Sequence, residues 1–118
     1  MNSARATAAF AAIAHESRLA LYRLLVKRGP GGLAAGVIAE RLGVAPSSLT
    51  FHLQALLRAG LLQRRREGRQ LIYSADFSAM NALVGFLTDH CCVEAGATDA
   101  ACCAPTQAVA PPRRRRLS

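Results

Sequence analysis

The stretch from Val37 to Leu62, VIAERLGVAPSSLTFHLQALLRAGLL, constrains the fold of this chain more than any other. Val37, Ile38 and Leu42 make an apolar stripe that stops at Gly43, a residue suited to ending a helix. Pro46 follows two residues later and is acceptable in the first turn of a new helix. Leu49, Leu53, Leu56 and Leu57 then recur at helical spacing as far as Gly60. At about 100° per residue these leucines share one side of the helix, and Phe51 points almost directly away from them. Ser47, Gln54 and Arg58 lie near Phe51 on that outer side. A large aromatic ring, hydroxyls, an amide and a guanidinium suit base edges and phosphates better than they suit water.

The rest of the chain fits around this helix–turn–helix. Ser3 can cap a first helix running to about Ala14, with Ala8, Phe10, Ala11 and Ile13 as its apolar residues. A second helix starts at His15, with Leu19, Tyr22, Leu25 and Val26 as its buried face and Lys27, Arg28 and Gly29 at its end. Gly29-Pro30-Gly31-Gly32 reads as a loop, and Ala34 to Leu42 as the first helix of the central pair. After Gly60 the period changes: Leu61 to Arg66 and Arg69 to Ser74 flank Glu67-Gly68, which predicts a β-hairpin. A last helix begins within Asp76 to Ser78 and carries the stripe Met80, Leu83, Val84 and Leu87. The fold class is mainly α with a β-hairpin wing, a winged helix–turn–helix. Residues 1–92 form the DNA-binding and dimerisation domain, and 93–118 a flexible, cysteine-containing basic tail with Pro105, Pro111, Pro112 and Arg113 to Arg116.

With 118 residues there is room for one domain of modest core, or one that completes its core by dimerising. A net charge of +8 calls for a polyanionic partner, nucleic acid first and an acidic membrane surface second. No apolar run is long enough to span a bilayer. The small apolar residues of the N-terminus continue into Glu16 and Arg18, so they read as a helix and not as a signal peptide. A cytoplasmic location with reduced thiols is the expectation. Nothing suggests an enzyme: no nucleophile–base pattern, paired carboxylate or phosphate loop occurs, and His15-Glu16 lacks the His-Glu-x-x-His continuation.

From His15-Glu16-Ser17-Arg18 to Leu87, and most specifically in Leu49-Thr50-Phe51-His52-Leu53 and Arg65-Arg66-Glu67-Gly68-Arg69, the chain resembles the ArsR family of bacterial metalloregulatory repressors. The resemblance implies a symmetric homodimer, formed by the first and last helices, on a palindromic double-stranded operator, released by an inducer. Carried over to this sequence, it puts Ser47, Ser48, Thr50, Phe51 and Gln54 where the family reads bases. Phe51 suits a thymine methyl and Gln54 an adenine. Arg58 joins that face, and Arg64, Arg65, Arg66 and Arg69 fall on the wing, where cations contact the DNA backbone or minor groove. The alternative for the arginines is a solvated hairpin. His52, at the edge of the buried stripe, is either a half-buried histidine or a base contact.

Four cysteines stand in two adjacent pairs, Cys91-Cys92 and Cys102-Cys103. The Cys-x-Cys of many family members is missing from Arg41-Leu42-Gly43-Val44-Ala45. Asp89 and His90 are adjacent, hence about 100° apart on a helix, and ill placed to share an ion. The chain is instead similar to arsenic-sensing members with a cysteine pair ending the last helix and a third thiol in the tail. Thiolates without hard ligands favour soft ions. The inducer expected is trivalent arsenic, as arsenite or a methylated arsenical, or antimonite, held by Cys91 and Cys92 with Cys102 or Cys103; no other cofactor is expected. A methylated arsenical fits if only the first pair binds. The competing readings are another thiophilic metal (cadmium, lead or zinc), a thiol oxidation switch, and a non-specific basic DNA-binding protein.

Overall fold

A computed structural model describes residues 1–95. The elements run α1 (Ser3–Ile13), α2 (Glu16–Arg28), β1 (Leu33–Ala34), α3 (Ala35–Leu42), α4 (Pro46–Arg58), β2 (Leu62–Glu67), β3 (Gln70–Ala75) and α5 (Phe77–Thr88). This is the winged helix–turn–helix that the period change anticipates. Met1–Leu87 form one compact unit.

Each helix end has a local cause. The Asn2 side chain, not Ser3, caps α1 by accepting from the Arg5 amide at 2.8 Å. His15 caps α2 through Nδ1, which accepts from the Ser17 amide, and Glu16 and the pair Lys27 and Arg28 complement the helix dipole at its two ends. Gly43 stops α3 in the left-handed conformation, φ 67°, and the Gly43 and Val44 amides both donate to the Ala39 carbonyl. That single left-handed residue makes the tight turn into α4, whose Pro46 stands at the first helical position. Asp76 caps α5 by accepting from the Ala79 amide at 3.0 Å.

The core is made by Leu21 and Leu25 of α2, Ile38 of α3, Leu53 and Leu56 of α4, and Leu61 just after it, each with under 2% of its surface exposed. Fully burying each such side chain stabilises by about 1.5–3 kcal/mol. Leu49 joins them and Leu57 is half-buried, as expected of the α4 stripe. Elsewhere the faces turn differently from the expectation. Ala6, Ala9 and Ala12 are the buried side of α1, while Phe10 is exposed. Leu21 replaces Leu19 on the buried side of α2, and Leu19 is 45% exposed. Val37 also faces outward. In α5 Leu83 is buried, but Val84 and Leu87 are 56% and 62% exposed. Leu83, Phe77 and Phe86 hold α5 to the core.

The sheet has the order β1-β3-β2, all antiparallel. Leu33 pairs with Tyr73 and Ala34 with Ile72, so a two-residue strand absent from the sequence reading makes β3 the central strand. Ile72, Tyr73, Ser74 and Ala75 are accordingly buried in succession, without alternation. In the hairpin Glu67 pairs with Gln70, which moves the two-residue turn to Gly68-Arg69, one residue beyond the expected Glu67-Gly68. Gly68 alone of the pair has positive φ, 63°, and so takes the first central position, as in a type II′ turn.

Candidate nucleic-acid interface

Helix α4 is buried on its leucine side, and its other side is open. Ser47, Ser48, Thr50, Phe51, Gln54 and Arg58 are all exposed, and Phe51 is 58% exposed despite its apolar ring. The Thr50 hydroxyl donates to the Pro46 carbonyl at 3.0 Å, which fixes its direction and leaves its lone pairs to accept. Five groups able to meet bases or phosphates therefore stand on one helix face around an aromatic ring.

His52 is half-buried between α2 and α4. Its Nδ1 accepts from Arg18 Nε at 3.2 Å, and its ring lies 4.9 Å from that of His15. Burial first, then the nearby His15 and Arg18 charges, hold its pKa below the ordinary 6.5. Arg18, to which the sequence analysis gave no part in DNA reading, also lies with its guanidinium carbon 5.4 Å from the Phe51 ring centroid. No spacing rule reaches it, because Arg18 and Phe51 meet only through the crossing of α2 and α4.

The wing carries Arg64, Arg65 and Arg66 on β2 and Arg69 in the turn, all exposed. Alternation splits them. Arg64 and Arg66 lie on the face of Leu62, opposite Tyr73 and Leu71, while Arg65 lies on the other face opposite Ile72. Arg65 is also engaged by its own chain. Its Nε meets Glu67 Oε2 at 2.7 Å, and its two terminal nitrogens donate to the Pro30 and Gly31 carbonyls at 3.3 and 2.7 Å. With both partners exposed, the ion pair itself stabilises by under about 1 kcal/mol, so the effect of Arg65 is mainly to tie the hairpin to the α2–β1 loop. On the loop's other side Arg28 Nε donates to the Gly32 carbonyl at 3.0 Å.

After α5, residues 89–95 run through successive turns. The helix stops at Thr88, so the cysteine pair follows the helix instead of ending it. His90 and Cys92 have positive φ, and the Cys91, Val93 and Ala95 amides donate to the Thr88, His90 and Cys92 carbonyls. In these turns the Cys91 and Cys92 sulfurs come within 3.3 Å of one another. Asp89 Oδ2 and His90 Nε2 also approach to 3.6 Å, because the 100° separation expected on a helix does not apply beyond its end. Among the described residues no three His, Cys, Asp or Glu side chains converge on a common point. The expected third ligand, Cys102 or Cys103, lies outside the described residues, as does the arginine run of the tail. No described helix is long and apolar enough to cross a membrane.

Comparison with known proteins agrees with this architecture. Residues 13–65 match a helix-turn-helix domain family. The transcriptional activator HlyU of Vibrio cholerae is 31% identical over 86 residues, covering 73% of this chain and 77% of HlyU. Its structure superposes with a TM-score of 0.62, over 77% of this chain and 96% of that one. The homodimeric winged helix-turn-helix domain of Mb0332 from Mycobacterium bovis, a possible ArsR-family regulator, is 30% identical with a TM-score of 0.58, over 73% and 80% of the two chains. An ArsR-like transcriptional regulator from Rhodococcus sp. RHA1 is 27% identical over 89% of this chain and 92% of its own, with a TM-score of 0.66. With this shared sequence over most of both chains and one architecture, the protein belongs to the winged helix-turn-helix transcription regulators of the ArsR type, which bind DNA.

Proposed function

We propose that this chain is a homodimeric repressor that leaves its operator when trivalent arsenic binds the cysteines of its C-terminal segment. The observation that carries the reading is the 3.3 Å approach of the Cys91 and Cys92 sulfurs. Two thiols so close form a chelating pair for one soft, thiophilic centre, and no hard-ligand cluster competes for it among the described residues. Cys102 or Cys103 supplies the third sulfur that arsenite takes; with the first pair alone, a monomethylated arsenical is the inducer. Exposed Phe10, Val84 and Leu87 on α1 and α5 support dimerisation through these helices. So does the homodimeric state of Mb0332. Ser47, Ser48, Thr50, Phe51, Gln54 and Arg58 read the major groove, and Arg64, Arg66 and Arg69 contact the backbone. Because α5 runs on directly into the cysteine turns, ion capture there acts on the dimer helix, and a differential of a few kcal/mol between states releases DNA.

Titration of the protein–operator complex with arsenite, followed by gel shift, tests the reading. Release by arsenite that Cys91→Ser abolishes is expected, and operator binding undiminished at saturating arsenite overturns it. Release by cadmium or by peroxide in place of arsenite assigns the same thiol pair to another metal or to oxidation.

A further inference from the structure

Arg18 stands on α2, outside the helix–turn–helix, yet its guanidinium reaches two other helices, α1 and α4. Nε donates to His52 Nδ1 at 3.2 Å, a terminal nitrogen donates to the Ala12 carbonyl at 3.5 Å, and the guanidinium carbon lies 5.4 Å from the centre of the Phe51 ring. Phe51 and His52 are consecutive residues of α4, so one side chain grips the outer face of that helix and its edge together. The acceptor role of Nδ1 requires the neutral imidazole with its proton on Nε2. The His15 ring, 4.9 Å away, backs the imidazole from the start of α2. Phe51 needs such a support. It is 58% exposed, its ring is held on one side by His52 at 5.8 Å, and a side chain facing solvent is otherwise free to change rotamer.

We propose that Arg18 is a positioning residue for sequence readout: anchored by His52 and the end of α1, it holds the Phe51 ring in the orientation that meets a base edge. It acts through Phe51 and not by contact with DNA. The proposal rests on α4 being the reading helix. A guanidinium is needed, because its flat face covers an aromatic ring while its Nε–H is still directed sideways at His52; an ammonium keeps the charge and loses that geometry. A phosphate-contacting arginine behaves in the opposite way, since lysine replaces it and all sequences feel its removal alike.

The full-length protein is first offered a random-sequence duplex pool to select its preferred site. Affinities for that duplex and a scrambled one are then measured by fluorescence anisotropy at fixed salt, for wild type, Arg18→Lys, Phe51→Ala and the double variant. Arg18→Lys is expected to weaken the selected duplex by roughly three- to tenfold while leaving the scrambled duplex unchanged. In the Phe51→Ala background it is expected to change nothing further. Equal losses on both duplexes, full retention of selectivity, or simple additivity with Phe51→Ala each overturn the proposal. Should thermal melting show Arg18→Lys to be misfolded, His52→Leu, which removes the anchor, carries the same test: lost selectivity supports the proposal and wild-type selectivity overturns it. If selection enriches no sequence, α4 is not a base reader and the underlying reading falls first. If it enriches one and the variants are inert, only the role of Arg18 falls.

Discussion

Among the described glycines, Gly32 is the one where an added methyl group meets the closest neighbours. Its φ is +68°, and a Cβ built there falls 2.5 Å from the Tyr73 carbonyl oxygen and 2.9 Å from Ile72 Cγ2. The left-handed conformation costs an L-residue about 1–2 kcal/mol. The overlap adds about 1–3 kcal/mol of overpacking, since Tyr73 O is backbone of the central strand and has no rotamer to yield. Gly32→Ala is therefore expected to lose about 2–5 kcal/mol, a large share of the 5–15 kcal/mol typical of a domain. Two further glycines separate the contributions. Gly43, left-handed with φ +67°, has nothing within 4 Å of an added Cβ, so Gly43→Ala is expected to lose only the conformational part, about 1–2 kcal/mol. Gly36 lies in α3 with an ordinary φ and open space, so Gly36→Ala is expected to gain about 0.5–1 kcal/mol. Urea unfolding at one fixed protomer concentration, with circular dichroism as readout, gives all three values. Equal losses for Gly32→Ala and Gly43→Ala would refute the steric argument, and with it the close docking of the α2–β1 loop on β3.

Three other expectations follow from particular side chains. The buried Tyr22 hydroxyl has no hydrogen-bond partner among the described residues, and burial followed by the Asp76 charge raises its pKa. Tyr22→Phe removes an unsatisfied donor and is expected to leave stability unchanged or raise it by about 1 kcal/mol, so a loss of that size in urea melts refutes the assignment. His52 is held below 6.5, so between its folded value and 6.5 the unfolded chain binds more protons than the native one. Its contribution to stability is complete above pH 6.5 and is lost as pH falls through the folded value; His52→Gln is expected to flatten that decline, and an unchanged pH slope in the variant counts against it. On the wing, Arg64→Ala and Arg66→Ala are each expected to weaken every duplex to a similar degree and to reduce the salt slope by about one, as phosphate contacts do; a loss confined to one sequence shows base readout instead.

The central pair was legible because leucines at helical spacing, Gly43 and Pro46 all point to the same local structure, and α4 duly buries Leu49, Leu53 and Leu56. The open face around Phe51 followed from the same geometry. Weakly amphipathic segments were harder. Alanines fill α1, so periodicity could not tell the side of Ala6, Ala9 and Ala12 from that of Phe10. Leu33-Ala34 is too short to show a strand period and exists as a strand only because β3 lies beside it. The bracket of His15, Arg18 and His52 joins residues brought together by helix crossing, which one-dimensional spacing does not encode. Around Cys91 the helical period was extended past Thr88, where backbone turns take over and bring neighbouring side chains together.

The stitching of the hairpin by Arg65 to the Pro30 and Gly31 carbonyls, and by Leu33 to Tyr73, makes the wing and the helix pair a single lever with no joint between them. A signal entering such a body cannot bend the wing away from α4 without breaking the sheet, so within one copy the span between their DNA contacts stays constant. Distances measured between spin labels at Ser48 and Arg66 of the same protomer should match with and without arsenite, the proposed inducer. What the proposed inducer can alter is the angle at which two such levers of the proposed dimer face the same duplex.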